Sequence, residues 1–186
     1  MASFWILDGE YAKSENQNIK FGDLVKPFGR KYSDMWRVFG ISENGEIMLI
    51  SDKCIGEVRL LGAEGYLSGI EQMDQLCIDT VKSSKVSAVR SISSLDFSRL
   101  IPNRKRYQML KEYLYKFNYW LATTYVWTSD LYYEEGFEAV YDGAKVNMPL
   151  ERFPGIEYNR KLGVRAIVTL RNNVNFIKTE DGYWKI

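Results

Sequence analysis

Apolar and polar positions alternate from Met35 through Trp36, Val38 and Phe39 to Ile41, and an apolar run resumes over Ile47–Ile50 after Glu43-Asn44-Gly45-Glu46. Period-two alternation marks a half-buried strand. Asn-Gly between two such runs marks a hairpin whose type I′ turn needs positive φ at both central residues. Phe21–Val25 reads as a short strand ended by Pro27. The period then changes. Leu67, Ile70, Met73, Leu76, Cys77 and Val81 recur at three- and four-residue steps, which puts them on one apolar helix face, with polar Lys82–Lys85 beyond it. Ser93-Ser94-Leu95-Asp96 fits the S-x-x-D pattern that caps a helix start, and Leu95, Phe97, Leu100 and Ile101 follow before Pro102 stops the helix. Residues 104–118 fit either a helix or a strand.

Strand signals dominate the remainder. Tyr119–Trp127 is rich in aromatic and β-branched residues, and Phe137–Tyr141, Asp142-Gly143 and Ala144–Met148 predict a second hairpin. Val164–Leu170 reads as one buried strand, and Asp181-Gly182 turns the chain into Tyr183–Ile186. Strands, two central helices and then tightly turned strands predict an α+β class with helices packed on an antiparallel sheet and hairpins. Residues 1–18 read as an arm or edge strand, and 19–186 as a single domain.

Composition narrows the chemistry. The 186 residues carry 25 Lys+Arg against 24 Asp+Glu, and this balance does not suggest a nucleic-acid partner, whose phosphates call for a basic excess. The Arg104-Lys105-Arg106 cluster reads as a solvated loop. There is no histidine, so the commonest general base and metal ligand is missing. Cys54 and Cys77 lack CxxC spacing and read as thiols more readily than as a bridge. No nucleophile elbow or phosphate loop occurs, and neighbouring Glu134 and Glu135 on a strand would point to opposite faces. Catalytic residues, metal ligands and cofactors are therefore not expected. Phe4–Leu7 is too short an apolar run for a signal peptide or a membrane span, so a membrane role is not expected either.

The order of motifs resembles a known pattern. Gly65-Tyr66-Leu67-Ser68-Gly69-Ile70 opens the long helix, and Val89-Arg90-Ser91-Ile92 leads into Ser94-Leu95-Asp96-Phe97. Tyr119-Trp120-Leu121-Ala122-Thr123 and Gly163–Leu170 follow as strands. Together these resemble the C-type-lectin-like domains of gut-bacterial and bacteriophage proteins, the branch related to formylglycine-generating enzymes. The late cysteine pair of those enzymes is missing here. Of the calcium-binding Trp-Asn-Asp triplet of the lectins, Trp127-Thr128-Ser129-Asp130 keeps only the ends. Ala166 stands where the closing strand of the branch usually has proline. The resemblance implies a recognition scaffold, such as a virion-surface protein assembled in the host cytoplasm.

Aromatic residues are the positive signal, with 13 Tyr, 9 Phe and 5 Trp, densest from Tyr115 to Tyr133. Rings with a polar tip suit protein interfaces and sugar stacking alike. Trp120 is expected in the core. Tyr125, Trp127, Asp130, Tyr132 and Tyr133 are the candidate binding residues, with Trp127, Tyr132 and Tyr133 expected on a loop beyond the strand. Two roles follow. One is a non-enzymatic structural or decorating virion protein, homo-oligomeric and packed against other assembly proteins. The alternative is a receptor-binding, lectin-like module for a host glycan or surface protein.

Overall fold

The computed structural model describes residues 19–27, 35–100, 103–153 and 155–186. The proposed N-terminal arm, residues 1–18, and the helix-stopping Pro102 lie outside them. Contacts gather into two compact units. One comprises residues up to Lys53 with Val81–Val89 and Ile167–Ile186; the other comprises Cys54–Thr80 with Arg90–Ala166. The class is mixed α+β, with three helices among the described residues, two mixed sheets and no barrel.

The first unit is built on β1 (Leu24–Lys26), β2 (Trp36–Ile41) and β3 (Ile47–Ser51), joined by antiparallel pairing. The expected hairpin forms, but its turn differs. Gly45 N–H donates to Ser42 O at 3.0 Å, Ser42 N–H to Glu46 O at 2.8 Å, and only Gly45 (φ 78°) has positive φ. That is a tight turn closed by a left-handed glycine, which needs no positive φ at Asn44. β5 (Val86–Ser91) and β11 (Ala166–Leu170) extend this sheet beyond β3, while β12 (Ile177–Lys178) and β13 (Trp184–Lys185) lie at its other edge. The Asp181-Gly182 turn forms, with Gly182 at φ 83°, and β13 then runs parallel to β1. Trp184 Nε1 donates to Asp23 Oδ2 at 2.8 Å and fixes this closing strand.

The second unit holds a sheet ordered β4 (Gly56–Leu61), β10 (Asn159–Val164), β6 (Tyr119–Ser129), β7 (Tyr132–Tyr141), β8 (Ala144–Arg152) and β9 (Ile156–Glu157). The expected β7–β8 hairpin forms on Asp142 (φ 47°) and Gly143 (φ 76°), as a type I′ turn demands. The expectation of a purely antiparallel sheet fails in both units. Here the chain reverses at each step from β6 to β9, so β10 returns in the direction of β6 and pairs with it in parallel. Val164–Leu170 is buried as expected but is not one strand. Arg165 divides it, leaving β10 in one sheet and β11 in the other. Fully buried Arg165 donates to Tyr113 O at 2.9 Å and lies 5.3 Å over the Tyr119 ring.

Helix α1 (Gly62–Thr80) corrects a second expectation. Its buried positions are Gly62, Gly65, Gly69, Met73 and Cys77, whereas Leu67 is 83% exposed and Ile70 and Ile78 are also exposed. The helix packs through its glycines because the sheet comes too close for side chains. A Cβ on Gly65 would lie 3.0 Å from the Leu60 backbone, and one on Gly69 would lie 2.8 Å from the Phe137 ring.

Helix α2 (Ser94–Leu100) starts as predicted, with Asp96 Oδ2 accepting from Ser93 N–H at 2.8 Å. The undecided stretch becomes α3 (Arg104–Leu114), where Asn103 Oδ1 accepts from Arg106 N–H at 3.0 Å and buried Leu110 and Leu114 supply the inner face. Trp120 is core, as expected: fully buried, it donates from Nε1 to Val58 O at 3.1 Å. Both cysteines are free thiols. Burial pushes the Cys77 thiol up to about 12, so neither its exposure nor its ionisation favours reaction.

Candidate functional site

Strand β6 changes character along its length. Tyr119, Trp120 and Leu121 are fully buried, while Val126, Trp127, Thr128 and Ser129 are exposed. The inner half is thus core, and the outer half carries the hairpin away from it. Trp127, Tyr132 and Tyr133 lie within strands, not on a loop. Trp127 pairs with Glu134, Thr128 with Tyr133 and Ser129 with Tyr132, which leaves only Asp130 and Leu131 as the connection. Strong β-formers on both sides let pairing run to a turn that contains no glycine.

Register sorts the side chains by face. Tyr125, Trp127, Tyr132 and Glu134 share one face, because partners across a ladder point the same way and neighbours alternate. Tyr133 and Glu135 share the other, where the Tyr133 hydroxyl bonds the buried Glu135 carboxylate and its own ionisation is pushed up to about 12. The five candidates are therefore not one cluster. Tyr125, Trp127 and Tyr132 come together, Tyr133 is on the reverse, and Asp130 is exposed at the tip.

Glu134 is the centre of the first face. Its carboxylate accepts from the Tyr125 hydroxyl at 2.7 Å, from the Tyr132 hydroxyl, and from Arg152 Nε at 3.1 Å and Nη2 at 2.7 Å. Partial burial alone would raise its pKa, but the bonds from Tyr132, Tyr125 and Arg152 outweigh this and hold it below the usual carboxylate range. Desolvation and the bond to Glu134 push Tyr125 and Tyr132 upward, so both stay as neutral donors. The Arg152 guanidinium lies 5.2 Å over the Tyr132 ring and 5.9 Å over that of Tyr158, and Arg160 lies 4.9 Å over the Tyr158 ring. Trp127 meets Tyr132 edge-on, with centroids 4.8 Å apart. Four rings, two guanidinium groups and one carboxylate thus lock the hairpin's outer half.

Apolar groups stand beyond this lock. Leu131 at the β6–β7 turn is 88% exposed, and Trp127 is 53% exposed. Phe153 follows β8, with its N–H donated to Tyr133 O at 2.9 Å, and is exposed, as is Ile156 of β9. Both turns fall at one end of the sheet, so these side chains make an apolar rim on a braced base. Glu134, Arg152, Tyr158, Leu131, Phe153 and Ile156 were not legible as site residues. Glu134 reads as a solvated charge, Leu131 carries no aromatic or polar signal, and Arg152, Phe153, Ile156 and Tyr158 join only from the β8–β10 segment, more distant in sequence. Among the described residues no group of three or more Cys, Asp or Glu is placed to hold a metal ion. No helix among them is long and apolar enough to cross a membrane.

Fold and site together define a mixed α+β chain that presents a braced, apolar-tipped double turn. No family model, curated protein or solved structure matches it.

Proposed function

We propose that this chain is a non-enzymatic structural protein of a larger assembly, the surface of a bacteriophage virion, and that it docks copies of itself through the outer end of the β6–β7 hairpin. The observation that carries this reading is the exposure of Trp127, Leu131 and Phe153 on a base already held rigid by Glu134 and its donors. Large apolar side chains standing in water mark contact surfaces, and aromatic anchors held in place before binding lose little entropy on docking. The virion part of the reading rests on the lectin-like resemblance and its order of motifs.

The arrangement favours protein contact over sugar. A sugar site needs polar groups free to bond hydroxyls beside the stacking ring. The carboxylate paired across the ladder with Trp127, Glu134, already accepts from two tyrosines and an arginine. The same bonds hold the Glu134 pKa below the usual carboxylate range, which makes it a weak general base.

Light scattering across a concentration series tests the proposal. The wild-type mass is expected to rise above 21.7 kDa, and a W127A/L131D variant to stay at a lower mass than wild type at the same concentrations. A wild-type monomer throughout the series, or a variant that assembles equally well, would overturn the reading.

A further inference from the structure

Among the described residues strand β4 is an edge of its sheet, hydrogen-bonded to β10 alone. The direction of its free groups follows from the ladder. Gly62 N–H donates to Tyr158 O at 3.3 Å, and on the far side of β10 Gly163 N–H donates to Asn118 O at 3.3 Å. Even positions of β10 therefore face β4, and Val58 and Leu60 are their partners. Glu57 and Arg59 consequently aim their main-chain N–H and C=O groups outward, and both residues are exposed. An exposed row of this kind is a template for another strand.

The side chains narrow the choice of strand. Arg59 stands directly opposite Lys161, a like charge that pairs with Glu57 of the same chain, and its own side chain donates to the neutral Asn159 Oδ1 at 3.3 Å. Directly opposed like charges weaken a sheet, so the position favours a carboxylate on its open side. Two copies of β4 placed antiparallel about a twofold axis at Val58 supply one. Glu57 of each copy then falls opposite Arg59 of the other, and both are the residues whose main-chain groups point outward. Pattern, hydrogen-bond parity and charge agree on this single register.

The edge also borders open space on the helix side. An open groove of about 630 Å³ runs beside β4 along helix α1, lined on the helix by Ser68, Glu71, Gln72 and Gln75.

We propose that two copies of this chain associate through their β4 edges, antiparallel about Val58, to form one continuous sheet across the dimer. The contact is isologous and closes on itself, so it yields a dimer and not an open chain. It is independent of the hairpin end, and it uses a different surface.

Sedimentation equilibrium with charge reversal tests it. R59E sets a glutamate against Glu57 at both symmetric contacts, and E57R sets an arginine against Arg59 at both. Each single variant is expected to raise the dimer dissociation constant roughly tenfold or more. The E57R/R59E double variant restores opposite signs at both contacts and is expected to recover the wild-type constant. Circular dichroism melts of the three variants confirm folding, since both side chains are exposed. A W127A/L131D protein, with the hairpin end silenced and β4 unaltered, that stays monomeric throughout would overturn the proposal. So would a dimer indifferent to both single reversals, or one that the double variant fails to recover.

Discussion

Gly136→Ala is expected to lower the stability of the chain by about 3 kcal/mol, the upper part of the range for overpacking, and to disable the docking end with it. A methyl group there would lie 2.2 Å from Met148 O and 2.9 Å from Pro149 Cα, so backbone and not a pliable side chain would have to move. The position matters because β7–β8 pairing shifts at this point. Phe137 pairs with Met148 and Gly136 with Pro149, but Glu135 pairs with Glu151 and Glu134 with Arg152. The extra residue, Leu150, is a bulge in β8, and a bulge re-aims every side chain beyond it. Without it Arg152 would fall opposite Tyr133 and point to the wrong face. Gly136 is thus the gap that admits the bulge, and the bulge delivers Arg152 to Glu134. A melt is expected to show a midpoint about 6–12 °C lower. Gly40→Ala, where a Cβ meets nothing within 4 Å, serves as the control, with a change of about 0.5 kcal/mol or less. Equal melting of the two variants would remove the bulge from the account.

The second large effect belongs to Asp96. Its carboxylate is almost fully buried and accepts from Arg90 Nη1 at 2.7 Å and Nη2 at 2.6 Å, and from Ser93 N–H at 2.8 Å and Oγ at 2.9 Å. Removing one partner of a buried pair costs about 3–5 kcal/mol. The Arg90 side chain keeps 36% of its exposure and can recover water, which lowers that figure. The helix cap lost with it contributes about 1 kcal/mol. Asp96→Ala is therefore expected to cost about 3 kcal/mol in urea denaturation, with Asp96→Asn costing less because one oxygen still accepts from Ser93. An alanine variant as stable as wild type would show that the cap and ion pair contribute nothing net.

Much of the fold was legible where a local rule acts alone. Asp142-Gly143 specifies its turn by backbone conformation, Ser93 and Asp96 specify a helix start, and Trp120 sits in a run apolar enough to be core. What could not be read depends on partners remote in sequence. Leu67 and Ile70 have the spacing of a buried face, yet Gly65 and Gly69 take that face, because closeness to Leu60 and Phe137 rewards the absence of a side chain. Arg165 interrupts an apolar run without any turn residue, and its division of β10 from β11 follows from sheet topology. The β6–β7 hairpin was missed because Asp130-Leu131 carries no glycine signal.

The site was legible by half. Aromatic density pointed to Tyr125, Trp127 and Tyr132, but their organiser was invisible. Glu134 looks like any surface carboxylate until the hairpin register and the β8 bulge bring two hydroxyls and a guanidinium to it. Alternation correctly separated Glu134 from Glu135, and the same alternation divides Tyr132 from Tyr133.

Amide hydrogen exchange, followed by mass spectrometry at a dilute and a concentrated condition, tests the docking end most directly. The account predicts slower exchange on concentration at residues 126–134 and around Phe153 and Ile156, with W127A/L131D abolishing the difference. Exchange that is identical at both concentrations through those residues, while the protein's mass in solution rises, would contradict it.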